Sequence, residues 1–141
     1  MARRLLVGAG ITAVVILASG LLAAPELGPP PKPENQLAKT RLEAARKAYG
    51  LVWQNYQEGL WSSAEDIYRW SSRWMEAERA LATQKAQHVA ACEAHFDRMR
   101  RLEKLVRDNY RVRVTTITVV SAAEYYAVEA EVWLAQVKNA P

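Results

Sequence analysis

Glu76-Ala77-Glu78-Arg79-Ala80-Leu81 closes a stretch that begins at Tyr56, and Glu129-Ala130-Glu131-Val132-Trp133-Leu134 closes a second stretch that begins at Tyr110. The two tyrosines lie 54 positions apart, and the two Glu-Ala-Glu tripeptides lie 53 positions apart. A repeat of this size is typical of a supersecondary unit used twice, here helix–turn–helix. The sequence therefore predicts an all-α fold of antiparallel helical hairpins, a coiled-coil bundle built from two repeats of about 54 residues.

Apolar residues recur at helical spacing throughout the predicted helical domain, residues 35–138. Repeat 1 covers about 35–82 and repeat 2 about 84–138. The alternating three- and four-residue spacing of a coiled-coil seam appears three times. The predicted seams are Ile67, Trp70, Trp74, Ala77 and Leu81; then Val89, Cys92, Phe96, Met99, Glu103, Val106 and Tyr110; then Val119, Ala123, Tyr126, Ala130, Trp133 and Val137.

Local signals divide these helices. Gly59 ends the first helix, and Ser62-x-x-Glu65 is a capping box that starts the second. Residues 63–111 form either one long helix or two helices with a break in which Thr83 caps the second. Residues 112–120 resemble a short strand, but the repeat favours a turn and a helix capped by Thr115 or Thr116.

The N-terminus has the layout of a targeting segment. Two arginines precede the apolar residues 5–24, as in a secretory signal, and a run of this length also suffices to span a bilayer. Residues 1–24 are therefore predicted to be a signal peptide or a membrane anchor, with membrane contact through residues 5–24 if the leader is not cleaved. Residues 25–34 are proline-rich and predict a semi-rigid spacer. The expected location is the cell envelope, periplasmic or secreted.

Charge and cysteine content exclude several classes. The net charge of +4 falls to +2 without the two arginines of the leader, and both signs alternate along the helices. Nucleic-acid binding is not expected, because it requires clustered positive charge. Cys92 is the only cysteine, so no internal disulfide exists, and its thiol is either buried or paired with another chain.

The repeat resembles that of TolC-type outer-membrane efflux proteins. The first copy matches the family pattern at Tyr56, Gly59, Ser63, Asp66, Ile67, Ala77 and Leu81, and the second at Tyr110, Thr116, Val120, Ala123, Ala127, Ala130 and Leu134. The second copy departs from the pattern where Arg113 replaces the turn glycine and Val119 the acidic residue. The resemblance covers the helical part alone, residues 35–138. It implies a helical hairpin module of the cell envelope, associated with export or efflux, and not channel activity.

One helix carries a stripe of potential metal ligands. His88, Cys92, His95 and Met99 recur at intervals of four, three and four residues. Imidazole, thiolate and thioether groups bind zinc or copper, so His88, Cys92 and His95 give an alternative hypothesis, a membrane-anchored periplasmic metal sensor or buffer. The competing interpretation is core packing, because Cys92 and Met99 lie on the predicted seam.

No catalytic motif is recognisable. The paired glutamates of the two repeats, residues 76, 78, 129 and 131, point to different helix faces, and pairing with Arg73, Arg79 or Lys138 explains them better than acid–base chemistry. Neither histidine completes a Ser/His/Asp arrangement. The sequence therefore favours a non-enzymatic protein without a cofactor.

The function that these features favour is protein–protein interaction or assembly, with a protein partner or a second copy of the chain. The candidate interaction residues are Trp61, Trp70 and Trp74. Trp61 stands beside the predicted turn at Gly59, and aromatic side chains of this kind are common at interfaces with proteins and membranes.

Overall fold

The computed structural model describes residues 33–140. In that range the regular structure consists of four α-helices and no strand: α1 (Pro33–Gln57), α2 (Ala64–Leu81), α3 (Lys85–Arg111) and α4 (Ile117–Asn139). The all-α fold class is thus confirmed for these residues. The predicted leader, residues 1–24, and the predicted spacer as far as residue 32 lie outside the described residues. None of the four helices has the length and apolar composition needed to cross a membrane.

Neighbouring helices run antiparallel, as the ion pairs between α3 and α4 show. Arg107 pairs with Glu124 at 2.8 Å, and Glu93 pairs with Lys138 at 2.8 Å, so positions that descend along α3 match positions that ascend along α4. α1 packs on α2, α2 on α3 and α3 on α4, with a smaller contact between α2 and α4. The α1–α2 and α3–α4 turns therefore lie at the same end of the bundle.

Those two turns have the same backbone geometry. In the first, Gly59 N–H donates to the Tyr56 carbonyl and Leu60 N–H to the Asn55 carbonyl. In the second, the N–H groups of residues 113 and 114 donate in the same way to the carbonyls of residues 110 and 109. This pair of bonds is the Schellman motif, in which one residue adopts the left-handed conformation. Gly59 (φ 70°) fills that position in the first turn and Arg113 (φ 61°) in the second.

The capping box of α2 lies one residue later than predicted. Ser63, not Ser62, is the N-cap, because its extended backbone (φ −108°, ψ 165°) directs Oγ towards the Asp66 N–H at 3.1 Å. The Asp66 carboxylate accepts in return from the Ser63 N–H at 3.0 Å. Glu65, which was expected in that role, instead pairs with Arg69 on the helix surface at 2.8 Å.

Residues 63–111 form two helices. α2 ends at Leu81, and Gln84, not Thr83, is the N-cap of α3. The Gln87 side chain accepts from the backbone N–H groups of both Thr83 (2.8 Å) and Gln84 (3.2 Å). This glutamine satisfies two donors that the start of a helix leaves free, which allows a tight turn without glycine or proline. Residues 112–120, which resemble a short strand in sequence, form a turn and the start of α4, and Thr116 is the N-cap of that helix.

The buried face of α3 differs from its predicted seam. The fully buried residues of α3 are Cys92, His95, Met99, Leu102 and Val106. His95 is buried in place of the predicted Phe96, and Leu102 is buried beside the predicted Glu103. Tyr110, which was also predicted to be on the seam, is 45% exposed. On α2, Ser71 and Met75 are buried together with the expected Ile67 and Ala77. Both helices have neighbours on two sides, so their buried arc is wider than a single seam. α4 presents mainly small residues to α3, namely Val120, Ala123, Ala127 and Ala130.

The left-handed position of Arg113 gives a first testable prediction. Arg113→Gly is expected to raise the free energy of unfolding by about 1 kcal/mol, because a non-glycine residue is strained in this conformation. Gly59→Ala is expected to lower it by about the same amount, since a Cβ at Gly59 meets no atom within 4 Å and backbone strain alone acts. Urea denaturation measures both changes. Arg113→Ala is the control: if it stabilises as much as glycine, removal of the charge and not relief of strain is the cause.

Candidate functional site

Three polar side chains meet in the interior between α2 and α3, and we call Ser71, His95 and Arg98 the buried polar cluster. The Arg98 Nε–H donates to Ser71 Oγ at 2.7 Å, and Ser71 Oγ lies 2.8 Å from His95 Nδ1. Ser71 and His95 are 0% exposed and Arg98 is 3% exposed. Because arginine can only donate, a consistent chain runs from Arg98 through the Ser71 hydroxyl to Nδ1.

Aromatic rings surround the Arg98 guanidinium where a carboxylate partner is usual. Its central carbon lies 4.0 Å from the centroid of the Trp74 ring and 5.5 Å from that of Tyr49. Tyr49 and Trp74 pack edge to face at 5.4 Å, so the cation joins α1, α2 and α3. Burial lowers the pKa of Arg98, and the nearby Tyr49 and Glu78 partly offset this effect. Cation–π contact, the bonds to Ser71 and the nearby Glu78 charge thus stabilise this guanidinium.

His95 is held neutral. Burial first, and then the Arg98 charge, lower the pKa of its imidazole from 6.5 to about 4. Its ring stacks on Trp133 at 5.5 Å, and its buried Nε2 has no hydrogen-bond partner among the described residues. A serine hydroxyl beside an imidazole is the arrangement of an activated nucleophile. Here neither group reaches solvent, so the pair packs and orients α2 against α3 and offers no access to a substrate.

The predicted metal stripe does not form a ligand set in the structure. His88 is partly exposed, whereas Cys92 and His95 are fully buried and His95 Nδ1 is engaged by Ser71. Burial raises the pKa of the Cys92 thiol, which disfavours the thiolate that binds metals. Among residues 33–140, no three histidine, cysteine, aspartate or glutamate side chains are placed to hold a metal ion.

The repeated glutamates have other partners than those predicted. Glu76 pairs with Arg41 at 3.7 Å and Glu78 with Arg46 at 2.7 Å, both across the α1–α2 contact. Glu129 accepts hydrogen bonds from Tyr68, which is on α2, and from Tyr125. The expected partners are engaged elsewhere: Lys138 pairs with Glu93, and Arg73 lies over the Trp70 ring at 4.6 Å. Glu76, Glu78 and Glu129 thus connect helices and do not converge on a reaction site.

The three candidate tryptophans occupy different environments. Trp70 and Trp74 are half-buried and pack against the main core, with Trp74 against Tyr49 and Arg98. Their role in the described structure is internal packing. Trp61 is 99% exposed in the α1–α2 turn and has no packing role.

Trp61 belongs to an apolar surface that we call the tip surface. The α1–α2 and α3–α4 turns lie at the same end of the bundle, and between them they expose five large apolar residues. They are Leu60 (49% exposed), Trp61 (99%), Val112 (67%), Val114 (72%) and Ile117 (58%). Sequence reasoning identified Trp61 but not the other four, because only the antiparallel packing brings the two turns together.

Comparison with known proteins gives no further assignment: no family model, no curated protein and no solved structure matches the chain.

Proposed function

We propose that this chain is a non-enzymatic interaction module of the cell envelope that binds a protein partner through the tip surface. The single observation that supports this function best is the exposure of five large apolar side chains at one end of the bundle. Several exposed large apolar residues at one end of a protein are uncommon on proteins that act alone and mark interaction sites. Tryptophan is moreover one of the residue types that are enriched among the residues contributing most to binding at protein interfaces.

The two helical hairpins of this module are proposed to be copies of one structural unit. Two observations support this proposal: the α1–α2 and α3–α4 turns share the Schellman geometry, and their left-handed residues are 54 positions apart. The N-caps Ser63 and Thr116 are 53 positions apart, which matches the spacing of the Glu-Ala-Glu tripeptides. Each hairpin supplies one turn to the tip surface, so both units are needed to build it.

Location in the envelope is the second element of the proposal. It is supported by the signal-like or anchor-like residues 1–24 and by the resemblance of residues 35–138 to hairpins of TolC-type efflux proteins. The expected partner is accordingly an envelope protein of an export or efflux system. Fractionation of cells followed by the intact mass of the protein tests this location, and recovery in the cytosolic fraction would refute it.

Trp61 is expected to be the anchor of the proposed interface. A photo-crosslinking amino acid at position 61 is expected to give one discrete protein adduct in the cell envelope. Trp61→Ala is expected to weaken binding of the identified partner at least tenfold, because an exposed tryptophan that becomes buried contributes roughly 2 kcal/mol or more. The melting temperature is expected to remain unchanged, since Trp61 is 99% exposed.

Matched positions keep this experiment specific. The same crosslinker at Gln54, an exposed residue of α1, is expected to give no discrete adduct. If position 61 gives only lipid adducts, and the protein floats with vesicles of phosphatidylglycerol and phosphatidylethanolamine in a Trp61-dependent way, the tip surface binds membrane and the protein-partner proposal is wrong.

A further inference from the structure

The outer side of α4 carries apolar residues that no other part of the described chain covers. Its inner side packs on α3, while on the other side Tyr125 is 62% exposed, Val128 59% and Val132 47%. These residues continue a regular spacing of four and three positions that is typical of a coiled-coil seam. We call this row the α4 edge, and it consists of Ser121, Tyr125, Val128, Val132 and Ala135.

α1 carries a second such row beside its contact with α2. Leu37 is 71% exposed and Leu51 53%, and the residues between them again follow intervals of four and three positions. We call this row the α1 edge, and it consists of Leu37, Arg41, Ala44, Ala48 and Leu51. α1 and α4 are the first and last helices in the order of packing. Each edge therefore lies on the side where a further helix from another copy would pack.

The internal equivalence of the hairpins indicates what each edge fits. α2 and α4 correspond at an interval of 53 residues, and on α2 the position that corresponds to Val128 is Met75. Met75 is 3% exposed and packs with Ala91 and Cys92 of α3. Val128 of the α4 edge therefore corresponds to the residue of α2 that packs on Ala91 and Cys92 of α3.

The same equivalence applies to α1. α3 and α1 correspond at an interval of 54 residues, so Ala91 of α3 corresponds to Leu37 and His95 to Arg41. The contact of Met75 with Ala91 then predicts a contact of Val128 with Leu37 in another copy. The contact of Ser71 with His95 predicts, in the same register, Glu124 next to Arg41.

The charges of the two outer helices complement each other. α1 has four basic and two acidic side chains, a balance of +2, and α4 has one basic and three acidic side chains, a balance of −2. Opposite charge favours pairing of these two helices, while two α4 helices or two α1 helices repel. This argues for an unlike pair of surfaces and against a symmetric α4–α4 dimer.

We infer that copies of this chain assemble head to tail, with the α4 edge of one copy packed antiparallel on the α1 edge of the next, as α2 packs on α3 within a chain. Such a contact uses two different surfaces, so it propagates into a ring or a filament and not into a closed symmetric pair. The inference extends the proposed assembly role, but its residues are separate from the tip surface.

Crosslinking of two variants, each with one added cysteine, tests the register. Leu37→Cys and Val128→Cys are made in full-length copies with different tags, mixed in mild detergent and treated with a short bismaleimide. The mixture is expected to give a crosslink that contains both tags, and each variant alone is expected to give none. Because Cys92 is 0% exposed, its thiol is not expected to react with the bismaleimide, and the unchanged chain is the control for background crosslinking. Self-crosslinking of Val128→Cys alone would show a symmetric α4 contact and overturn the inference, as would absence of the mixed product.

Sedimentation velocity gives an independent measurement. The unchanged chain is expected to sediment as oligomers at micromolar concentration, and Val128→Glu is expected to shift it to monomers. Val112→Glu, which places the same charge at an equally exposed residue of the tip surface, is expected to leave the oligomers intact. Loss of the Leu37–Val128 crosslink with a retained protein adduct at position 61 refutes this inference alone. A monomeric chain without that adduct refutes the proposed interaction function as well.

Discussion

Trp74→Ala is expected to lower the free energy of unfolding by about 3 kcal/mol, the lower end of the usual cost of deleting a large aromatic side chain from a core, because Trp74 is half-buried against that core. Trp74 contacts the Tyr49 ring at 5.4 Å and the Arg98 guanidinium at 4.0 Å, and Arg46 lies 5.5 Å from its centroid. Its removal therefore leaves a cavity between three helices and also takes the aromatic face from the buried Arg98 charge. The loss is expected as a lower midpoint in urea denaturation with an unchanged slope.

Two matched substitutions separate packing from other effects. Trp61→Ala makes the same chemical change at a residue that is 99% exposed and is expected to shift stability by less than about 0.5 kcal/mol. Trp74→Phe keeps an aromatic face for Arg98 and is expected to cost much less than alanine. The indole N–H that phenylalanine lacks is buried without a hydrogen-bond partner, so its loss breaks no bond. Equal destabilisation by Trp74→Ala and Trp61→Ala would contradict the placement of Trp74.

The helices were predictable because their signals are local. Gly59 occupies the left-handed position that ends α1. The heptad spacing identified part of each buried face, namely Ile67 and Ala77 on α2 and Ala123 and Ala130 on α4. The start of α3 was not predictable in the same way, because the Gln87 side chain caps the backbone N–H groups of Thr83 and Gln84, and the N-cap is a glutamine, which is uncommon at this position. Arg113 shows the opposite case: it adopts a conformation that its residue type disfavours, and only the repeat indicated a turn there.

The buried polar cluster was not predictable from sequence, because it depends on a contact between helices. Arg98 stands in a basic run that is typical of a solvated surface, and Ser71 lies beside the seam predicted for α2. One signal was nevertheless present: His95 and Leu102 share the three- and four-residue spacing of Cys92, Met99 and Val106. The tip surface and the two edges likewise depend on which helices become neighbours, and composition alone does not decide that.

Acidification is expected to destabilise the fold through His95 before the carboxylates of Asp66 and Asp108 contribute. The pKa of His95 is about 4 in the folded protein and near 6.5 when unfolded, so between these values the unfolded chain binds more protons. Stability then rises with pH across this window: the contribution is fully present above about pH 6.5 and is lost as the pH falls towards 4. A shift of this size corresponds to about 3 kcal/mol. The lowered pKa values of Asp66 and Asp108 act at lower pH, below their usual value of 3.8.

The measurement is the free energy of unfolding in urea at a series of pH values from 7.5 to 4.5. The unchanged chain is expected to lose about 2–3 kcal/mol over this range. His95→Phe, which keeps a planar aromatic ring without a titrating group, is expected to show a much flatter profile. His88→Gln removes the other of the two histidines, at a partly exposed position, and is expected to retain the full slope. If His88→Gln flattens the profile and His95→Phe does not, the buried imidazole is not the acid-sensitive group, and the interior placement of the polar cluster is wrong.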